Sequence, residues 1–458
     1  MRKIVAILLI VLVVLSFASL KDEWMKEVQK INSTPGLPWK AGYFKGLERY
    51  EGLASSLDEL FKKWSGTREL PKEIKDRFIR FLKTSKLTST DDMFMASKFL
   101  YTYQGTELPS EFIQVHTPVR DQAFHGTCWA FSTTAAMESA YLVQVLEYKG
   151  KSSASPVELQ ESDIDLSEQF AGYHNIDWDL AYYEGWFVIQ DSNADVGGSP
   201  YFATYNLIRY GLPSENTFPY IGYDNSPWVK WNPKGDWKKT LKFSNKTAVI
   251  LSYDEMKDAF NMSYEDYINT IKEAVVKYGA LSVMYMVPSD FFWYDKGVYV
   301  PANNTIAAGH AVTLVGWFDV TALKELGWLD EDATSLKYTD PFTGETNEAT
   351  LFWVIKNSWG SSWGWDGYYV VPAITKKQYE NSKVAKWQIE YYSMYAPIVG
   401  VPEWSKADFD NDGDVDESDW NALKNALWSN DKKYDLNGDG NVNGNDLEIF
   451  MRLWNKSR

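Results

Sequence analysis

The 458 residues contain one cysteine, Cys128, inside FHGTCWAFSTTAAMES (124–139). A lone thiol forms no intramolecular disulfide, so it is either a small buried hydrophobe or a reactive group. From Cys128 to Lys149 there is no Pro or Gly, and Ala130, Phe131, Met137, Ala140, Tyr141 and Val145 recur at helical spacing. The thiol thus stands at or near a helix N-terminus behind Gly126, where orphan amides and the helix dipole favour an anion and lower a thiol pKa. A thiolate nucleophile needs a base and a group to orient that base. Four histidines are available: His116, His125, His174 and His310. His310 lies in AAGHAVTLVGW, directly before an apolar strand pattern. Asn357 lies in LFWVIKNSWGSSWGWDGYYVV, at the end of another. A helix-borne Cys facing a strand-borne His and Asn implies a cleft between a helical lobe and a sheet lobe.

A second chemistry-bearing pattern sits at the other end of the chain. DFDNDGDVDESD (408–419) and DLNGDGNVNGND (435–446) share one template. In the first, Asp408, Asp410 and Asp412 fill positions 1, 3 and 5, Gly413 makes the turn, Asp414 supplies a carbonyl at 7 and Asp419 closes at 12. In the second, Asp435, Asn437, Asp439, Asn441 and Asp446 stand at 1, 3, 5, 7 and 12, with Gly440 at the turn. Hard oxygen ligands at this spacing match calcium, about two ions, one per loop. A valine at position 8 of each copy argues against a merely solvated acidic tail.

These groups need elements to hold them. Residues 1–20 combine a basic start, the apolar run IVAILLIVLVVLSF and a small-x-small pattern at Ser16 and Ala18, which reads as an export signal. The mature chain is therefore expected to be secreted or at the cell surface, without a membrane span. Residues 21–107 are charged and helix-prone. Residues 108–397 open with the Cys128 helix and pass into short apolar runs with turns, such as ALSVMYMV and LFWVIK, which read as strands. A Pro- and Gly-containing linker (398–404) leads to the calcium repeat (405–458). The net charge of −16 argues against nucleic acid or an anionic membrane as partner. No organic cofactor motif appears.

QAFHGTCWAFS, GHAVTLVGW and KNSWGSSWGWDGYY, in this order, resemble the papain family of cysteine peptidases. LSEQF (166–170), the stretch from Gly197 to Tyr220 and GVYV (297–300) extend the likeness over roughly 108–397. The resemblance implies an α+β, papain-like two-lobe fold with a helical lobe and a β-barrel-like lobe. It implies Cys128 as nucleophile, His310 as general base and then acid, Asn357 as orienter, and Gln122 with the Cys128 backbone N–H as oxyanion hole. Trp359 shields the Asn357 contact and lies with the substrate-binding residues. Gly197, Gly198, Ser199, Pro200, Met284 and Ala308 match the family's substrate positions; Ser199, Pro200, Met284 and Ala308 match its second subsite, and none is charged, which favours an apolar or aromatic side chain there. His125, Val196 or its neighbours, and His174 stand where the family has framework cysteines. Gly309 replaces a residue that is often polar before the histidine. His125 ranks below His310 as base because it lacks the strand context, and His116 and His174 are read as structural. The insertion at 318–350 is expected to reshape the cleft.

The segment 21–107 suits an inhibitory pro-region, and INSTPGLPWKAGYF (31–44) faintly resembles short cathepsin B-like ones. Two loop–helix repeats with Asp at position 12 resemble a dockerin, a small α module of two EF-hand-like loops that implies a cohesin-type scaffold partner. Glu417-Ser418 and Gly444-Asn445 differ, so symmetrical docking of the two repeats is not expected. The expected function is that of a secreted cysteine endopeptidase made as a zymogen and acting on proteins or peptides. The alternative is a catalytically silent peptide-binding relative attached to a scaffold.

Overall fold

The computed structural model describes residues 19–50, 54–64, 66–67, 98–123, 125–176, 189–191, 197–201, 203–204, 211–222, 233–237, 246–381, 387–399, 406–410 and 415–454. The export run (1–18), Val196, most of the linker, Asp412 and Asp414 lie outside them.

The front segment contributes α1 (Leu20–Asn32), β1 (Trp39–Ala41) and α2 (Leu57–Trp64). Ser19 caps α1 with a reciprocal box to Asp22, and the helix buries Leu20, Trp24, Val28 and Ile31 on one face. Next come β2 (Lys98–Leu100), β3 (Phe112–Ile113), α3 (Cys128–Gln144), α4 (Glu168–Tyr173), and the β4–β5 pair (His174–Ile176, Ile189–Asp191). Then follow β6 (Lys246–Ile250), α5 (Tyr253–Phe260), α6 (Tyr264–Tyr278), β7 (Leu281–Pro288), β8 (Tyr294–Gly297) and β9 (Ile306–Asp319). The body ends with α7 (Val320–Glu325), β10 (Leu336–Thr339), β11 (Thr346–Ala349), β12 (Leu351–Lys356), β13 (Tyr368–Pro372), α8 (Lys376–Asn381) and β14 (Met394–Ile398).

The main sheet has the order β13-β12-β9-β7-β14-β6-β2, with β3 also on β9. All its pairings are antiparallel except β2 on β6. The path has two ends, so the expected barrel-like lobe is an open sheet among the described residues. Closure would need β13 to pair with β2, and no such pairing occurs among the described residues.

Helix α3 is buried on nearly every side, as an apolar helix through the middle of a domain must be. It is pinned to the sheet by Thr313 Oγ1 donating to Ser132 O (3.2 Å) and by Gln144 Nε2 donating to Pro397 O (3.0 Å), and to the end of α6 by Gln144 Nε2 donating to Tyr278 O (2.6 Å). Residues 98–107 are held to the body as well. Glu273, buried on α6, accepts from Tyr101 Oη (2.7 Å), Gln104 N (2.7 Å) and Thr106 N (3.1 Å).

The insertion after β9 leaves the sheet at Asp319, away from His310. His310 and Asp319 lie near opposite ends of β9, nine residues or about 30 Å apart at strand rise. The insertion instead packs Leu336, Tyr338 and Ala349 with Phe318, Ala322 and Leu323.

The C-terminal module has its own core of Ala407, Phe409, Val415, Leu423, Val442, Phe450 and Leu453. It contains α9 (Glu417–Ala426) and α10 (Gly444–Leu453). Asp419 and Asp446, the twelfth loop residues, are also the third helical residues of capping boxes with Asp416 and Asn443. No described helix is long and apolar enough to cross a membrane.

Candidate active site

Helix α3 begins at Cys128 itself. Thr127 provides the first carbonyl, accepting from Ala130 N (2.8 Å) and Phe131 N (3.1 Å). The preceding loop is held by several bonds. Ala123 takes φ +50°, fixed by its N–H donating to Asp121 Oδ1 (2.9 Å). Tyr220 Oη donates to Gln122 O (2.7 Å) and lies 3.0 Å from Thr127 Oγ1.

On the sheet side, His310 Nε2 lies 2.7 Å from Asn357 Oδ1. That oxygen also accepts from Ser358 N (2.8 Å), which fixes the amide's orientation. An accepting oxygen makes Nε2 the protonated nitrogen, so Nδ1 of neutral His310 is free to accept a proton. His310 Nδ1 is buried with no hydrogen-bond partner among the described residues. Trp359 stacks on the imidazole at 4.7 Å and 30° and is fully buried.

Ser358 ties the two walls together. Its Oγ donates to Gln122 Oε1 (2.6 Å) and its carbonyl accepts from Gln122 N (2.8 Å). With Oε1 held, Gln122 Nε2 points its two hydrogens at His125 O (2.8 Å) and Trp64 O (3.2 Å). Sequence reasoning missed Ser358, although it sits in the quoted NSW triplet. His125 contributes its backbone carbonyl here. His116 is buried between Gln114 O and Tyr368 Oη, with its pKa lowered by burial to about 3.

The front segment lies in the cleft. Gly198 N donates to Gly66 O (2.7 Å), and Thr67 N donates to Gly309 O (3.4 Å). Thr67 bridges Gly198 in the parallel sense. Gly66 is the residue that fits, since a Cβ there would stand 2.3 Å from Gly126 O. Gly309 has a parallel reason: a Cβ there would meet Thr67 Oγ1 at 2.6 Å. Trp64 stacks on Trp359 at 5.0 Å and 25°. Nothing in 21–107 announced which residues would do this; WSGT (64–67) is short and without periodicity.

The thiol beneath this cover is fully buried. The helix start was expected to lower the Cys128 pKa. Instead, burial pushes it up to about 11, against opposing contacts from the Ala311, Gly66 and Trp129 backbones. Burial likewise pushes His310 down to about 4, partly countered by Asn357. Both shifts favour the neutral pair, so the covered site is held un-ionised.

Among the substrate positions, Gly197 takes φ +77° and a Cβ on it would meet Gly66 O at 2.2 Å. Ser199 is buried with its Oγ accepting from Tyr201 N (3.2 Å), and Pro200 is buried beside it. Met284 pairs with Ala311 across the β7–β9 ladder, and Ala308 pairs with Val287. Ala311, with its backbone at the thiol, was not anticipated.

In the C-terminal module, the carboxylates of Asp408, Asp410 and Asp419 lie within 4.8 Å of one another. Three like charges so close fit a divalent cation with oxygen ligands. In the second loop, Asp435 accepts from Gly438 N (2.8 Å), Asp439 N (3.1 Å) and Gly440 N (2.7 Å), and Gly440 takes φ +89°. Asn437 Oδ1 accepts from Asp439 N (2.8 Å), Asp439 Oδ1 from Asn441 N (2.9 Å), and Asp446 from Leu436 N (2.8 Å). The loop is thus wound by its own ligand-type side chains.

Residues 111–164 and 189–389 match the model of the papain family cysteine protease, and residues 406–454 match the dockerin type I domain, a calcium-binding module. The chain is 28% identical over 262 residues to pro-cathepsin H of Mus musculus, covering 56% of each chain. It is 25% identical over 334 residues to the cathepsin B-like CP2 of Giardia intestinalis, covering 72% of this chain and 83% of that one. The match thus spans little more than half the length of the pro-cathepsin H relative. Among solved structures, procathepsin L 3 of Tenebrio molitor aligns with a TM-score of 0.48 at 16% identity, covering 83% of this chain and 90% of that one. The family model covers more than half of the residues and includes Cys128, His310 and Asn357. The chain belongs to the papain family of cysteine proteases and carries a dockerin type I domain at its C-terminal end.

Proposed function

We propose that the chain is a secreted cysteine endopeptidase made as a zymogen, with Cys128, His310, Asn357 and Gln122 as its catalytic residues. The observation that carries this reading is the bond of His310 Nε2 to Asn357 Oδ1 (2.7 Å), which leaves a buried Nδ1 to take a proton beside the Cys128 helix start. Once the cleft is uncovered, His310 Nδ1 takes the Cys128 proton. The thiolate then attacks the scissile carbonyl carbon, and the displaced electron pair collects on the carbonyl oxygen. Gln122 Nε2 and the Cys128 backbone N–H donate to that oxygen; such a donor contributes about 3 kcal/mol in the transition state. Imidazolium His310 protonates the leaving amine as the C–N bond breaks. Water, deprotonated by His310, then cleaves the thioester and returns the thiol.

Zymogen character rests on Trp64 O occupying the Gln122 amide and Gly66 occupying Gly198. The tethering of 98–107 to Glu273 argues that the releasable part ends before Lys98 rather than at 107. We also assign calcium, about two ions, to Asp408, Asp410, Asp412, Asp414 and Asp419 and to Asp435, Asn437, Asp439, Asn441 and Asp446. A cohesin-type protein is the partner that a dockerin module would take. An extracytoplasmic location follows from that partner and from the export run at 1–20.

Treatment of the activated protein with an epoxide peptide inhibitor, mapped by mass spectrometry, tests the site. One adduct on Cys128, absent from His310→Ala, is expected. A protein that hydrolyses peptides with Cys128 replaced by Ser would overturn the assignment.

A further inference from the structure

The two groups assigned to the oxyanion stand at the ends of one short loop. Gln122 lies at its start, and the Cys128 N–H follows Thr127 at its end. The distance between these donors depends on how the loop is held. The chain has one cysteine, Cys128, so no intramolecular disulfide ties the loop. A single side chain bonds to both ends instead. Tyr220 Oη donates to Gln122 O (2.7 Å) and lies 3.0 Å from Thr127 Oγ1. A phenol has one hydrogen and a carbonyl oxygen only accepts, so the Thr127 hydroxyl donates to Tyr220 Oη. The relay runs from Thr127 Oγ1 through Tyr220 Oη to Gln122 O and closes the loop on itself. Gln122 and Thr127 are fully buried, so both partners of the phenol are shielded from solvent.

Tyr220 is fixed in turn. Its N–H donates to Glu215 Oε1 (2.7 Å), and the N–H of Ile221 donates to Gln169 Oε1 on α4 (3.2 Å). Its ring makes a T-shaped contact with Phe131, in the first turn of α3, at 4.9 Å and 88°. Ser358 and Tyr220 therefore hold Gln122 from different sides. Ser358 takes the Gln122 N–H (2.8 Å) and Oε1 (2.6 Å) and ties the residue to the end of β12. Tyr220 takes the Gln122 carbonyl and ties it to the start of α3.

We infer that Tyr220 is a positioning residue for peptide hydrolysis: its hydroxyl sets the spacing of the Gln122 amide from the Cys128 N–H, so that both donors meet one developing oxyanion. It acts through Gln122 and Thr127, not on the reacting atoms. The inference rests on the peptidase reading above and adds to it a residue 98 positions from Gln122 in sequence.

Tyr220→Phe keeps the ring and removes both bonds. Losing an oxyanion donor outright costs about 10²–10³-fold in kcat. Here both donors remain and only their spacing relaxes, so activated Tyr220→Phe should lose about tenfold in kcat, with KM within about twofold of the unsubstituted protein. Alkylation of Cys128 by iodoacetamide displaces iodide at a saturated carbon and develops no oxyanion. Its rate in the same activated variant should therefore stay within about twofold, because it follows the thiolate alone. Should Tyr220→Phe not fold, as judged by circular dichroism, Thr127→Val breaks the relay at its other end and is read in the same way. An unchanged kcat overturns the role. So does an equal fall in kcat and in alkylation rate, which would place the effect on the thiol and not on the oxyanion donors. Absence of hydrolysis by the unsubstituted activated protein, with Cys128 unlabelled by an epoxide peptide inhibitor, overturns the peptidase reading and this role with it.

Discussion

In the full-length chain Cys128 should be alkylated far more slowly than in the activated protein. With a pKa of about 11 in place of the ordinary 9.0, the thiolate fraction at pH 7 falls about a hundredfold. Intrinsic nucleophilicity rises with pKa at a slope near 0.4–0.5, which returns about a factor of ten. Charge alone therefore slows labelling about tenfold. Gly66, with its backbone against the thiol and no exposed thiol surface left, adds a steric barrier on top. Removing the front segment reverses both effects, since the helix start and His310 then favour the ion pair. The assay is iodoacetamide labelling followed by intact mass, from pH 5 to 10. Because burial raises the thiol pKa, full-length protein should gain rate steadily as pH climbs toward 11. The activated form should already be fast near neutrality. Equal rates and equal pH profiles for the two forms would refute the argument that the front segment keeps the site un-ionised.

Other consequences are as direct. His310→Ala should cost about 10²–10⁴-fold in kcat, with Asn357→Ala costing less and shifting the pH–rate profile; wild-type kcat in His310→Ala would exclude the assigned base. Gly66→Ala places a Cβ 2.3 Å from Gly126 O, so the full-length variant should leak peptidase activity, and a silent variant would contradict that packing. Chelation should lower the helicity of the separately cored C-terminal module, because folding there is coupled to the metal, while Cys128 labelling of the activated enzyme persists; loss of labelling would show that the module braces the enzyme. Glu390 is fully buried and burial raises its pKa to about 7, so folding favours its protonated form. The penalty is absent below about pH 4.5 and grows through pH 7, to roughly 3 kcal/mol at most. Glu390→Gln should accordingly raise the melting temperature at pH 8 and not at pH 4.5, and an equal change at both would dispose of the idea.

Cys128, His310 and Asn357 were legible because each sits in a run whose local pattern is strong: an uninterrupted helix start, an apolar strand, and a strand end followed by glycines. Gln122 was legible only through the family resemblance, since nothing local marks it as a donor. Ser358 was hidden, because its role is a bond to a residue 236 positions away. That the sheet of the second lobe is open among the described residues was hidden for a related reason. Strand patterns show which residues pair with something, and sheet closure depends on which edges meet.

Residue order alone thus singled out Cys128 and His310 as the candidate nucleophile and base, and it carried the calcium-loop spacing and the expected division into front segment, protease body and terminal module. These rest on short-range rules, namely helix phase, strand alternation and ligand spacing, which act within a dozen residues. Tertiary structure decided what those groups do in the intact chain. It put Trp64 on the Gln122 amide and Gly66 against a fully buried thiol, where burial raises the Cys128 pKa above its ordinary value. It also laid Phe61 on Phe292 across 231 residues of sequence, which assembled an aromatic face that no local pattern contains. Burial and solvation are properties of which surfaces meet, and that is settled only when distant segments pack.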